Sequence, residues 1–179
     1  MSLGKRRTLQ DIQTFIRKRL PDKLRRDLVG LRIVKEADVE CAAYHHLRHF
    51  TGEDSRWRVL ARKHVKRTGH YVDLLIFKNY RPVIAVEFKW GKTQIGKKDR
   101  RSLLRALKNL GVNKAYWLST VSSDKPGAPF SKKPVEKGVL HRIIVRLGLS
   151  GPELAVWKQS RRRLREQMTI GRGHKLVTG

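Results

Sequence analysis

Two apolar runs dominate the chain. Val72-Asp73-Leu74-Leu75-Ile76-Phe77 and Val83-Ile84-Ala85-Val86-Glu87-Phe88-Lys89-Trp90 are rich in β-branched and aromatic residues. Lys78-Asn79-Tyr80-Arg81-Pro82, between them, carries the turn formers Asn and Pro. The pattern predicts a β-hairpin. Each strand is apolar on both faces, which places the hairpin inside a sheet covered on both sides. Asp73, Glu87 and Lys89 are the polar exceptions. Strand alternation points Glu87 and Lys89 the same way. A hairpin centred on Tyr80, pairing Phe77 with Val83, also sets Asp73 opposite Glu87 and Tyr71 opposite Lys89. A slip by one residue moves Asp73 to the other face.

Helical spacing appears on both sides of this hairpin. Leu9, Ile12, Phe15, Ile16 and Leu20 predict a short amphipathic helix stopped by Pro21-Asp22, then a second helical or irregular piece ending near Gly30. Val39, Ala43, Leu47 and Phe50 form the stripe of a helix over 36–50, with Glu40 bordering its buried face. Trp57 to Val65 reads as a first strand. After the hairpin, Gly91 to Gly96 is a loop, and Lys97 to Leu110 is a helix that turns Leu103, Leu104, Leu107 and Leu110 inward. Lys97, Arg101, Arg105 and Lys108 form its outward stripe. Ala115 to Ser119 is the next strand, parallel to the one before it because a helix crosses over between them. Ser122 to Lys137 reads as a long loop and a candidate substrate flap. Val139–Leu147 and Glu153–Trp157 read as two strands that extend the sheet as a hairpin. The last stretch, 158–179, holds seven Lys/Arg against one Glu and reads as a basic helix and tail. The fold class expected is α/β, a central mixed sheet flanked by helices in the order α-β-β-β-α-β. The expected division is a basic helical extension over 1–35, a core domain over 36–157 and a basic C-terminal segment over 158–179.

Charge adds a partner to this picture. The chain of 179 residues carries 42 Lys plus Arg against 15 Asp plus Glu, a formal net charge of +27. Self-repulsion of that size destabilises a compact chain, and a polyanion relieves it. Nucleic acid is the commonest polyanion; DNA is expected, and RNA fits the charge equally. An anionic membrane is the rival. No segment approaches the ~18 apolar residues of a spanning helix, and the basic stretches lack large apolar residues for interfacial burial, so no membrane partner is expected. The lone Cys41 implies neither a disulfide framework nor a cysteine zinc site. With no apolar signal core, this suggests a cytoplasmic protein. Self-association as a homodimer is left open.

The hairpin acids bring candidate chemistry. Two carboxylates facing each other repel unless something lies between them, and hard oxygen ligands suit Mg²⁺ or Mn²⁺. Val72-Asp73, thirteen intervening residues, then Glu87-Phe88-Lys89 resembles the motif of the PD-(D/E)xK nuclease superfamily. Val72 stands where the motif name has proline. The resemblance implies a restriction-endonuclease-like core across about 36–121 and a metal-dependent DNA nuclease. It implies Asp73, Glu87 and the Phe88 backbone carbonyl as metal ligands, and Lys89 as the residue that orients or activates the attacking water. It also implies a glutamate on the first core helix near the metal, with Glu40 the candidate and Glu36 the reserve. Complementing the helix dipole is the alternative role for these two acids. Gln94 matches a Gln that often follows the motif, although it precedes the predicted helix. Lys97, Arg101, Arg105, Lys108, Arg161, Arg162 and Arg163 are expected to face nucleic acid, against the plainer reading of solvated basic faces. His45, His46 and His49 suggest zinc by spacing, but no further ligand completes a site; solvated or nucleic-acid-facing histidines are the expectation.

Other readings stand beside the nuclease. Glu87 and Lys89 can form a purely structural salt bridge. The chain can be a nucleic-acid-binding module with a silent nuclease-like site, or an RNA-associated structural protein. The last has no need of two acids in its most apolar hairpin.

Overall fold

The β3 strand, Arg81–Trp90, runs through the middle of the molecule, and both of its faces are covered. The computed structural model describes residues 6–52, 54–65, 70–121, 130–136, 139–149 and 151–170. Within them β1 (Trp57–Val65), β2 (His70–Lys78), β3, β4 (Lys114–Val121), β5 (Phe130–Glu136) and β6 (Leu140–Arg146) form one six-stranded open sheet in the order β1-β2-β3-β4-β6-β5. β1, β2 and β3 pair antiparallel, β3, β4 and β6 pair parallel, and β5 closes the far edge antiparallel to β6. The helices are α1 (Leu9–Thr14), α2 (Leu20–Val29), α3 (Glu36–Thr51), α4 (Lys97–Asn109) and α5 (Gly151–Ile170). This is an α/β architecture with a mixed sheet.

Two cores divide the apolar residues. On one face Ile12, Leu24, Val39, Leu47 and Trp157 pack with Leu74, Val86, Phe88, Tyr116 and Ile143. On the other, Leu103 and Ala106 of α4 pack with Leu75, Ala85, Ala115, Trp117 and Ile144. Successive residues of β3 and β4 thus feed alternate cores, which explains why both strands read as continuous apolar runs. Leu104, Leu107 and Leu110, expected inward, are partly buried and pack against the second core.

The hairpin keeps the expected register in its body and departs from it at the tip. Leu74↔Val86, Leu75↔Ala85 and Ile76↔Ile84 are the pairs that set Asp73 opposite Glu87. The turn, however, is a tight Asn79-Tyr80 pair with positive φ at both residues. Phe77 therefore pairs with Pro82 rather than Val83, and a bulge after Ile76 absorbs the extra residue.

Four expectations need correction. Pro21 does not stop the first helix: a π-helical turn at Phe15–Arg19, closed by the Leu20 N–H on the Phe15 carbonyl, carries the chain into α2. Pro21 then falls in the first turn of α2, where its missing N–H costs nothing. The loop expected over 122–137 contains β5. Its Pro134 is tolerated because β5 is an edge strand; of the candidate flap over 122–137, residues 122–129 and Lys137 lie outside the described residues. Glu153–Trp157 is not a strand but the beginning of α5. The short apolar run Leu154–Trp157 reads as a strand, but Leu154 and Trp157, buried three apart with Val156 exposed, share one helical face, and Pro152 suits a helix start. The expected terminal hairpin is accordingly absent, and β6 lies between β4 and β5.

Candidate active site

The end of β3 gathers the ionisable residues of the hairpin. The regular β2–β3 pairing runs from the turn to Leu74↔Val86. Beyond it the Asp73 side chain takes over: its Oδ2 accepts the backbone N–H of Phe88 at 2.8 Å. Phe88 is fully buried, so this bond ties the carboxylate to the buried strand. Glu87, on the other side of the pleat, is 8% exposed. Its Oε1 accepts from Lys89 Nζ at 3.1 Å, and its Oε2 is buried with no hydrogen-bond partner. An orphaned carboxylate oxygen in an interior is costly and asks for an explanation.

Helix α3 supplies the next layer. Asp38 folds back to accept the N–H groups of Val34 and Lys35, at 2.9 and 3.1 Å, and so caps the helix. That leaves Glu36 and Glu40 for the sheet. Glu36 reaches Lys89 Nζ with Oε1 at 3.4 Å and accepts the Trp90 N–H with Oε2 at 3.0 Å. Glu40 is buried, and its charge acts on Asp73. From β4, Ser119 donates its hydroxyl to the Lys89 carbonyl at 3.2 Å, which fixes the strand end.

The carboxyls are strongly perturbed. Burial lifts Asp73 to a pKa of about 6; the Phe88 N–H and Lys89 pull it down, and Glu40 and Glu36 push it up. Burial and the charge of Asp73 lift Glu87 to about 7, against the pull of Lys89. Burial works against the ammonium of Lys89, but Glu87, Asp73 and Glu36 outweigh it and hold its pKa above the usual lysine value. The result is two acids with pKa values of about 6 and about 7, well above the usual carboxylate range, beside a permanent cation, a combination typical of functional sites.

The other expected site residues divide. Phe88 presents its N–H to Asp73, and its carbonyl is the third expected oxygen donor. Gln94 is exposed in the loop before α4. Lys97, Arg101 and Lys108 are exposed and Arg105 half-buried along α4, and with Arg100 they frame a groove over Leu104. On α5, Arg162 and Arg163 are exposed, with Arg162 paired to Glu166 at 2.9 Å. Arg161, expected among the phosphate contacts, is instead committed inward. It stacks on Trp90 at 4.3 Å and Trp157 at 5.6 Å and donates to the Val34 carbonyl at 2.8 Å. Burial, then Arg165, lowers its pKa, while Asp38 opposes the shift. His46 does not face solvent alone: its Nε2 lies 2.7 Å from Oδ2 of buried Asp27, which also pairs with Arg32 at 2.9 Å. Among the described residues no three His, Cys, Asp or Glu side chains cluster as a ready-made ion site.

Sequence reasoning missed the links that hold β3 in place. The Arg161–Trp90 stack has no signal in a run of three arginines. The Glu36 bond to the Trp90 N–H had one, since Glu36 opens the helix that follows an extended segment. Asp99, in the first turn of α4, accepts from Trp117 Nε1 at 3.2 Å and adds to the repulsion on Glu87.

No protein-family model matches this chain, and no curated protein matches it significantly. Among solved structures it is similar to a chain in a half-complex from the tetradecameric assembly of Thermococcus gammatolerans McrB AAA+ hexamers with bound McrC. The similarity has a TM-score of 0.37 at 12% identity, and covers 69% of this chain and 32% of that one. This chain thus spans about a third of the length of the chain it matches. Among the described residues no helix is long and apolar enough to cross a membrane.

Proposed function

We propose that this protein is a divalent-metal-dependent nuclease acting on DNA, with α3-β1-β2-β3-α4-β4 as a restriction-endonuclease-like core. The observation that carries the reading is the buried, unpartnered Oε2 of Glu87 beside Asp73. The residues present fit a hard cation: two carboxylates that repel each other, one of them buried with an unsatisfied oxygen, suit Mg²⁺ or Mn²⁺. Asp73, Glu87 and the Phe88 carbonyl would hold the ion, which when bound polarises a phosphate and lowers the pKa of water.

The chain's own groups do the rest. Glu87 and Asp73 must both be ionised to serve, so the site gains competence as pH rises through about 6 to 7. Lys89 stays protonated and sets a fixed positive charge where charge develops on the phosphate. Glu36 and Ser119 hold the Lys89 backbone and ammonium in place, so that charge costs little reorganisation. The exposed cations of α4 and α5 supply sequence-independent phosphate contacts.

The test is cleavage by the wild-type protein of labelled plasmid, single-stranded and branched DNA. At least one is expected to be cut in Mg²⁺ or Mn²⁺ and none in EDTA. No cleavage of any of them, or cleavage that persists in EDTA, would overturn the reading.

A further inference from the structure

We infer that the tip of the β2–β3 hairpin is a second nucleic-acid contact, where an unpaired base stacks on Tyr80 and adjoining phosphates meet Arg58 and Arg81. Asn79 and Tyr80 have φ of 48° and 63°. Asn enters this left-handed region readily, but a ring-bearing residue does so at a cost, and the second position of such a turn favours glycine. The chain holds instead a tyrosine that is 76% exposed, against 64% for Val156, 40% for Val29 and 37% for Leu60 among the exposed large apolar residues described. Neither local geometry nor burial explains a tyrosine here. Strain retained at a surface position points to a task outside the fold.

The surroundings say which task. The Arg58 guanidinium of β1 lies over the Tyr80 ring, 4.8 Å from its centroid. With so much of the ring exposed, ample surface is left for a planar partner. Arg58 and Arg81 are both exposed, and Lys78 lies 5.6 Å from the Trp57 ring beside the same turn. Arg56 is set apart, since Asp54 binds it at 2.9 and 2.6 Å. A solvent-facing aromatic ring framed by cations is the arrangement that binds single strands, with the base on the ring and the backbone on the cations. An intact duplex offers the phosphates but no free base. Seven residues of extended chain separate Tyr80 from Glu87, on the order of 23 Å. A substrate reaching both places would carry unpaired nucleotides about that far from the bond that is cut. The inference rests on nucleic acid being the partner and not on hydrolysis.

The test is fluorescence anisotropy in EDTA with a labelled oligothymidine strand and a labelled duplex of equal length. The proteins are wild type, Tyr80→Gly and Tyr80→Trp, with a thermal melt of each. Tyr80→Gly is expected to weaken single-strand binding about tenfold to a hundredfold, the range that base stacking is worth. It should change duplex binding less than about twofold and melt at or above the wild-type temperature, because glycine relieves the turn. Tyr80→Trp should retain single-strand affinity. Unchanged single-strand binding by Tyr80→Gly, or an equal loss on both probes, would overturn the inference and leave the nuclease reading intact. A wild type that binds neither probe would overturn nucleic acid as the partner, and this contact with it. A wild type that binds single strands through Tyr80 but cuts nothing would sink only the nuclease reading.

Discussion

Glu87→Gln and Asp73→Asn are expected to cut DNA about a thousandfold more slowly than the wild type, or to show no cutting at all. Both substitutions keep shape and remove a charge. Each takes away one of the two ionised oxygen donors on which the proposed ion depends, and loss of one such preorganised contact costs on the order of 10²–10³ in rate. DNA affinity should hold, because the exposed cations on α4 and α5 lie outside this pair. Single-turnover cleavage and anisotropy on the same protein samples check both statements. Either variant cutting within about tenfold of wild type would remove its residue from the chemistry, and Glu87 would then be what its bond to Lys89 alone suggests, half of a structural ion pair.

The metal-free protein should lose thermal stability as pH rises from 5 to 8. Folding raises the pKa of Glu87 from 4.5 to about 7 and that of Asp73 from 3.8 to about 6. A raised carboxyl pKa means that the folded state holds its proton more tightly than the unfolded chain. The stability this gives is complete below the unfolded values, near pH 4, and is lost as pH climbs through about 6 to 7. For Glu87 the change is on the order of 3 kcal/mol, roughly 6–12 °C for a chain of this size. Lys89 does not titrate in this window, since its pKa is held above an already alkaline value. Asp54, lowered to about 2, matters only at lower pH. Melts in EDTA should therefore show a steeper fall for wild type than for Glu87→Gln. Parallel profiles for the two proteins would mean that Glu87 is not the buried acid of raised pKa described here.

Much of this arrangement was legible because the site lies in the segment with the strongest pattern. Continuous apolar runs at 72–77 and 83–90 leave few pairings, and the pairing that sets Asp73 against Glu87 is the one adopted in the body of the hairpin. The helical stripe of α3 carried Glu36 and Glu40 to the same end of the sheet. What escaped had weak or double signals. Phe130–Glu136 holds two lysines and a proline, and forms a strand only because it can sit on an edge with its missing N–H unneeded. The short apolar run Leu154-Ala155-Val156-Trp157 is ambiguous between strand and helix. No periodicity marks a π-helical turn, so Pro21 looked like an end. Arg161, Arg162 and Arg163 are alike in sequence, and tertiary packing alone sends the first onto Trp90 and leaves the others in solvent.

The most direct test of the paired-acid site is a Mn²⁺ titration followed by thermal melting at pH 8, comparing wild type with Glu87→Gln. At that pH both acids of the wild type are ionised, and an ion that binds only the folded pair stabilises it by RT ln(1 + [L]/Kd). The wild-type melting temperature should rise by several degrees once Mn²⁺ exceeds Kd about a hundredfold, equivalent to about 2.7 kcal/mol. Glu87→Gln should lose most of that rise. An equal response in the two proteins, or none in either, would contradict the account at its centre.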